Sequence, residues 1–270
     1  MVSVKIILIA VLALVSAVIS LVITRAPTIT DENNLPKFIQ ADFVNLSQIY
    51  SISKFRSGEG HDFSGGGETC RSMKHYFTPQ YNPNVQWREV DGKRLPPLPD
   101  GITDILIYSP VDGKISSIGE EHTPIGKQVA IIPDSQPYLI RLFHIYLSPD
   151  IKSGTHVKAG QQIGVIGKNQ GTDIAIQAGT LPWNDKFISY FQVMPDSVFA
   201  AYQARGATSR DDFIISKEYR DAHPLQCAND EGENFIYPAD YNRAEDDFHL
   251  RGYVYLEPDY KKQQQNSSIG

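Results

Sequence analysis

The chain has 270 residues, 41% of them hydrophobic and 21% charged, with 25 basic against 31 acidic residues and a net charge of −6. That length can bury a core without covalent staples, and the acidic balance argues against nucleic-acid partners, which need a basic face to displace counterions. Two cysteines exclude a disulfide-rich scaffold and any tetrathiolate zinc site.

In chain order, the first element is the run from Ile6 to Thr24, which carries no charge and whose only polar side chains are Ser16, Ser20 and Thr24. As a helix it would be roughly 28 Å long, enough to cross the hydrocarbon core. Lys5 and Arg25 flank it almost symmetrically, while Ala26 to Glu32 weakly favours an outside C-terminal side. A single-pass membrane anchor is the reading, with a cleaved signal peptide ending near Val15-Ser16-Ala17 as the alternative. Either one delivers the rest of the chain outside the cytoplasm, membrane-held or secreted. There an even pair, Cys70 and Cys227, reads as a disulfide; two buried free thiols are the alternative.

Residues 31–55 are mixed and declare neither helix nor strand. A glycine-dense loop follows, from Arg56 through Gly58, Gly60, His61 and Asp62 to Gly65-Gly66-Gly67, whose glycines permit positive φ and close backbone approach. Arg56 and Arg71 flank it and suit bidentate capture of a carboxylate. Tyr76, Phe77, Tyr81 and Trp87 then read as core or as lining for a peptide or sugar. From Asp104 the pattern turns to short apolar runs between turns: Ile105–Tyr108, Gly113–Ile118, Gln128–Ile132, Tyr138–Leu147, Gln162–Ile166 and Asp173–Gln177. Ser197–Arg205, with Gly206 behind it, reads as a short helix with a glycine stop.

The block from Tyr108 to Gln177 carries the specific signal. Ser109-Pro110-Val111-Asp112-Gly113-Lys114-Ile115 is a strand with a tight Asp-Gly turn; Phe143-His144-Ile145-Tyr146-Leu147 is a second strand. Ile151-Lys152-Ser153-Gly154-Thr155-His156-Val157-Lys158-Ala159-Gly160-Gln161-Gln162-Ile163-Gly164 is a long glycine-valine turn. In this order the block resembles the β-core of the lysostaphin/LytM-type zinc endopeptidases, which cut peptide cross-bridges in cell walls. The resemblance covers about a quarter of the chain, and the long turn is its most specific part. Lipoyl and biotinyl domains share the duplicated hybrid motif, but they need a modifiable lysine at a hairpin tip, and Met73-Lys74 lies upstream of the block.

The resemblance implies a mainly β fold, α+β overall: a small antiparallel β-roll or sandwich of the LytM type. With the composition shifts on either side of that core, the chain divides into an anchor or signal peptide (1–25), a glycine-loop and insertion region (26–103), the β-core (104–180), an accessory α/β region (181–260) and a disordered tail (261–270). The family holds zinc through the His and Asp of H-x-x-x-D and the second His of H-x-H, leaving one coordination position open for water. Here Asp62 stands at the ligand aspartate, but Gly58 and Ala175 occupy the two ligand-histidine positions. His144 corresponds to a catalytic-site histidine, while Asp173 and Gln177 share the groove face of the last strand with Ala175. The conventional site is therefore degenerate. A rearranged zinc set of His61, Asp62, His75 and Asp173, with His144 beside the reacting atom, is the enzymatic alternative. The leading expectation is a non-catalytic module, without zinc, that binds a cell-surface peptide, glycan or envelope protein.

Overall fold

A computed structural model describes Val11 and residues 34–79, 88–90, 93–95, 105–121, 125–167, 170–178, 186–230, 233–237 and 252–256. Among them no helix is long and apolar enough to cross a membrane. Apart from Val11, the expected anchor at 6–24 lies outside the described residues, as do Tyr81, Trp87 and the tail.

The strands are β1 (Ile49–Ser53), β2 (His75–Pro79), β3 (Arg88–Val90), β4 (Lys93–Leu95), β5 (Ile105–Tyr108), β6 (Gly113–Glu120), β7 (Lys127–Pro133), β8 (Tyr138–Leu147), β9 (His156–Val157), β10 (Gln162–Ile166), β11 (Thr172–Ala178), β12 (Lys186–Ile188), β13 (Gln226–Asp230), β14 (Glu233–Tyr237) and β15 (Tyr253–Tyr255). All but the hairpins β3–β4 and β13–β14 join one sheet, whose main path runs β15-β1-β2-β11-β8-β7-β6-β9. β10 joins β5 to β8, and β12 flanks β11. Every pairing between these strands is antiparallel. The fold is mainly antiparallel β with few helices, as the short alternating runs imply. The sheet also takes β1, β2, β12 and β15 from outside residues 104–180.

Strand β11 is buried along its whole length, so both of its faces are packed. Ile174 and Ile176 enter the main core with Ile140, Leu142, Val129 and Ile131. Ala175 on the opposite face joins a smaller apolar cluster with Phe55, Met73, Phe143 and Phe187. Period-two alternation thus assigns Asp173, Ala175 and Gln177 to that second face. Helix α1 (Asp196–Gln203) follows Pro195, carries Asp196 in its first turn where the dipole favours a negative charge, and buries Phe199 and Tyr202. Gly206, at φ +100°, turns the chain away after it. A second short helix, α2, spans Lys217–Ala222.

Cys70 and Cys227 form a disulfide, with Cα atoms 5.6 Å apart. It ties the glycine loop to the β13–β14 hairpin, which also donates from the Ile236 amide to the Gly60 carbonyl.

Candidate functional site: a lysine-centred pocket

The candidate site is a buried side-chain cluster where β2, β8 and β11 adjoin. Asp173 faces Tyr76 across the β2–β11 register and Phe143 across the β8–β11 register. Lys74 stands just before β2, two residues from Tyr76, and its Nζ lies 2.7 Å from Asp173 Oδ2. The two side chains are only 7% and 2% exposed. The ammonium sits 4.6 Å from the ring centroids of Tyr76 and Phe143, and 5.4 Å from that of Phe63. An ammonium placed over ring faces is attracted by their quadrupoles, and more strongly where water is excluded.

His144 reaches the pocket because of a bulge. Between Lys127/Ile145 and Val129/Leu142 the register shifts, so β8 carries one more residue than β7. His144 adopts φ +65° there, a strained conformation for a side chain with a Cβ. The bulge carbonyls are held by Thr172 Oγ1, which donates to Phe143 O at 2.7 Å, and by Gln170 Nε2, which donates to His144 O at 3.0 Å. Gly126 closes over it; a Cβ at that position would lie 2.6 Å from His144 C, so only glycine fits. Glu121 grips the histidine twice, accepting from the backbone amide at 3.1 Å and from Nδ1 at 2.5 Å. The other ring nitrogen, Nε2, lies 3.4 Å from Asp173 Oδ2.

These contacts set the charges. Burial alone would lower the His144 pKa, but the charge and hydrogen bond of Asp173, with those of Glu121, override it and raise the value to about 9. Burial likewise opposes ionisation of Asp173, yet the Lys74 and His144 charges hold its carboxyl below the usual range. Lys74 is held charged against burial, chiefly by Asp173. Because the folded-state pKa of His144 exceeds its ordinary value of 6.5, its contribution to stability is full below that ordinary value and disappears as pH rises through about 9. Glu59, pushed up to about 7 by burial, completes its change lower. Thermal melts above that value are expected to show a Tm falling with pH, and His144→Gln to remove most of that slope.

The other expected site residues have different surroundings. His75 points away from the pocket: its Nδ1 donates to Ser53 O and its Nε2 accepts from Ser189 Oγ, both at 2.8 Å. Burial lowers its pKa to about 4, keeping it neutral, and with both nitrogens used it has no lone pair for a metal. Its contribution has the opposite pH sign, lost as pH falls from 6.5 towards 4. Asp62 Oδ1 accepts from Ser64 Oγ at 2.6 Å and from the Arg71 amide at 3.2 Å, bracing the glycine loop. The His61 amide donates to Tyr76 Oη at 3.3 Å, bringing the loop against the pocket wall.

Arg56 makes a bidentate pair with Glu68 at 2.8 and 2.9 Å. Arg71 Nη1 binds Glu68 at 2.7 Å and Asp221 at 2.9 Å. Both guanidiniums are thus engaged by internal carboxylates. Gln177 Oε1 accepts from Arg141 Nη1 at 3.5 Å on the pocket face. Sequence reasoning missed Lys74, Glu121, Glu68 and the ring of Phe63. The signal for Lys74 was Asp173 itself: a carboxylate inside the otherwise apolar run Thr172-Asp173-Ile174-Ala175-Ile176 needs a buried cation.

The donor set does not fit zinc. Asp173 is held by an ammonium, the Asp173 and Glu121 carboxylates flanking His144 favour its protonated form, and His75 faces elsewhere with both nitrogens bonded. A metal ligand must be a deprotonated donor, so an imidazolium beside an ammonium repels a divalent cation. Among the described residues no three His, Cys, Asp or Glu side chains gather to hold a metal ion.

No protein-family profile matches the chain, and no curated protein does. Solved structures do. The chain is similar to a structure from Ruminococcus gnavus named for the glycyl-glycine endopeptidase LytM, at 13% identity and a TM-score of 0.30, over 44% of each chain. It is similar to Csd3 from Helicobacter pylori at 16% identity and a TM-score of 0.38, over 82% of this chain and 45% of that one. The chain therefore spans under half the length of these two proteins. The catalytic domain of lysostaphin from Staphylococcus simulans is similar at 17% identity and a TM-score of 0.24, over 38% of this chain and 89% of the domain.

Proposed function

We propose that this chain is a LytM-like module that has exchanged metal chemistry for a resident side-chain cation, and that it acts outside the cytoplasm as a non-catalytic binding or regulatory protein for a cell-surface peptide or glycan. One observation carries the reading: the Lys74 ammonium, 2.7 Å from Asp173 and enclosed by three aromatic rings, supplies the positive charge that the groove carboxylate requires. A metal would have to displace that ammonium and deprotonate His144 against a pKa of about 9. The Cys70–Cys227 disulfide supports an oxidising compartment, with residues 6–24 as the proposed membrane anchor.

The test is elemental analysis of the chain purified without chelators, paired with co-sedimentation on insoluble peptidoglycan. Protein with no stoichiometric zinc that sediments with the polymer and releases no peptide fragments is the expected result. About one zinc per chain, accompanied by cleavage of cross-bridge peptides, would overturn the proposal in favour of a hydrolase with a rearranged site.

A further inference from the structure

Lys74 and Asp173 stand on neighbouring antiparallel segments with amine and carboxylate in contact, 2.7 Å apart. The pair is almost wholly removed from water, and Phe63, Tyr76 and Phe143 wall in the amine. Beside the carboxylate, 3.4 Å from the same Oδ2, is His144 Nε2, with Glu121 fixing the ring from behind. Amine and carboxylate do not condense readily in water because two solvated ions must be brought together and stripped. The fold has already met both requirements: fixed contact is equivalent to a very high effective concentration, and exclusion of water removes the reagent of the back reaction.

We infer that Lys74 and Asp173 are the two partners of an intramolecular isopeptide bond, a covalent strut between the start of β2 and β11. Within the pair, one Nζ proton moves to the Asp173 carboxylate, leaving a neutral amine and a neutral acid. The Nζ lone pair attacks Cγ, forming the C–N bond. His144, charged at Nε2, donates its proton to the departing oxygen as the C–O bond breaks, and regains one from the nitrogen. The ammonium and carboxylate thereby become an amide and one water, with no oxidant and no added reagent. His144 is the catalytic residue and Glu121 a positioning residue for it. The contacts hold Lys74 charged and Asp173 ionised, so the neutral reactive pair is a minor state and the bond forms slowly after folding.

The inference starts from the ion pair on which the proposed function rests and, once the bond has formed, replaces ammonium and carboxylate by a neutral amide; metal content and polymer binding of freshly folded protein test the one, covalent mass after incubation the other. The experiment is peptide mapping of the full chain by mass spectrometry, after prolonged incubation in the folded state followed by denaturation and reduction. The expected product is a branched peptide joining the Lys74 and Asp173 segments, one water lighter than their sum, with no tryptic cleavage after Lys74. Lys74→Arg should abolish it, and Asp173→Asn should yield the same branched product with loss of ammonia instead of water. His144→Gln should slow formation about a hundredfold or more, the usual share of a general acid. Wild-type protein that still gives two linear peptides, cleaved normally after Lys74, would overturn the inference and leave the pair as an ion pair only; this readout does not depend on any variant folding.

Discussion

In freshly folded protein, in which the pair is still ionic, replacing Lys74 with methionine is expected to cost about 3–5 kcal/mol of folding stability, the usual consequence of removing one partner from a buried charge pair. The size follows from what stays behind. Asp173 is 2% exposed at its side chain, and without the ammonium the nearest charged group among the described residues to offset its desolvation is His144, whose Nε2 lies 3.4 Å away. Protonating Asp173 would relieve part of that cost, so the loss should shrink at low pH. Removing both charges, as in Lys74→Met with Asp173→Leu, should recover most of the stability, because apolar replacement of a whole buried pair is often neutral or better. Urea denaturation of the wild type, both single variants and the double variant closes the cycle. Single-variant losses below about 1 kcal/mol would place the pair among solvent-screened surface bridges and contradict the burial.

The second large effect concerns the disulfide. Cys70 and Cys227 are separated by 157 residues, and closing a loop of that length removes about 5 kcal/mol of chain entropy from the unfolded state. The Cys70→Ser, Cys227→Ser variant is therefore expected to show a Tm well below that of the oxidised wild type. The local effect should be sharper still. Besides the disulfide, the β13–β14 hairpin bonds to the glycine loop through the Ile236 amide on Gly60 O. Hydrogen exchange across Gln226–Asp230 and Glu233–Tyr237 should accelerate far more than exchange in β8 or β11, since weakly packed segments open by local unfolding. Equal acceleration across the sheet would show that the disulfide stabilises the fold only globally.

Much of the β-core was legible in the chain. Tyr138–Leu147 and Gln162–Ile166 have the bounds that alternation and flanking turns imply, and Asp173–Gln177 extends by one residue at each end. Strand β2 was not legible: His75–Pro79 lies in a proline-rich stretch and has only one neighbouring turn to announce it, yet it pairs with both β1 and β11. For the candidate site, the face shared by Asp173, Ala175 and Gln177 follows from period two alone, as does the nearness of His144 from its strand. The direction of the His144 side chain does not, because one extra residue at the bulge re-aims it.

What the sequence determined by itself is therefore local: the strand periods, the turns, the helix with its glycine stop, and the presence of a carboxylate in an apolar strand. These depend on neighbours a few residues apart, whose chemistry is printed in order along the chain. Only the tertiary structure decided what meets that carboxylate. Lys74 is 99 residues from Asp173 in sequence, and Glu121 is 23 from His144. His75, adjacent to Lys74, is turned to the opposite face by the same alternation and spends both ring nitrogens on Ser53 and Ser189. Long-range partners are selected by sheet register and by the desolvation cost of leaving a buried charge alone, and neither is written in any single stretch of residues.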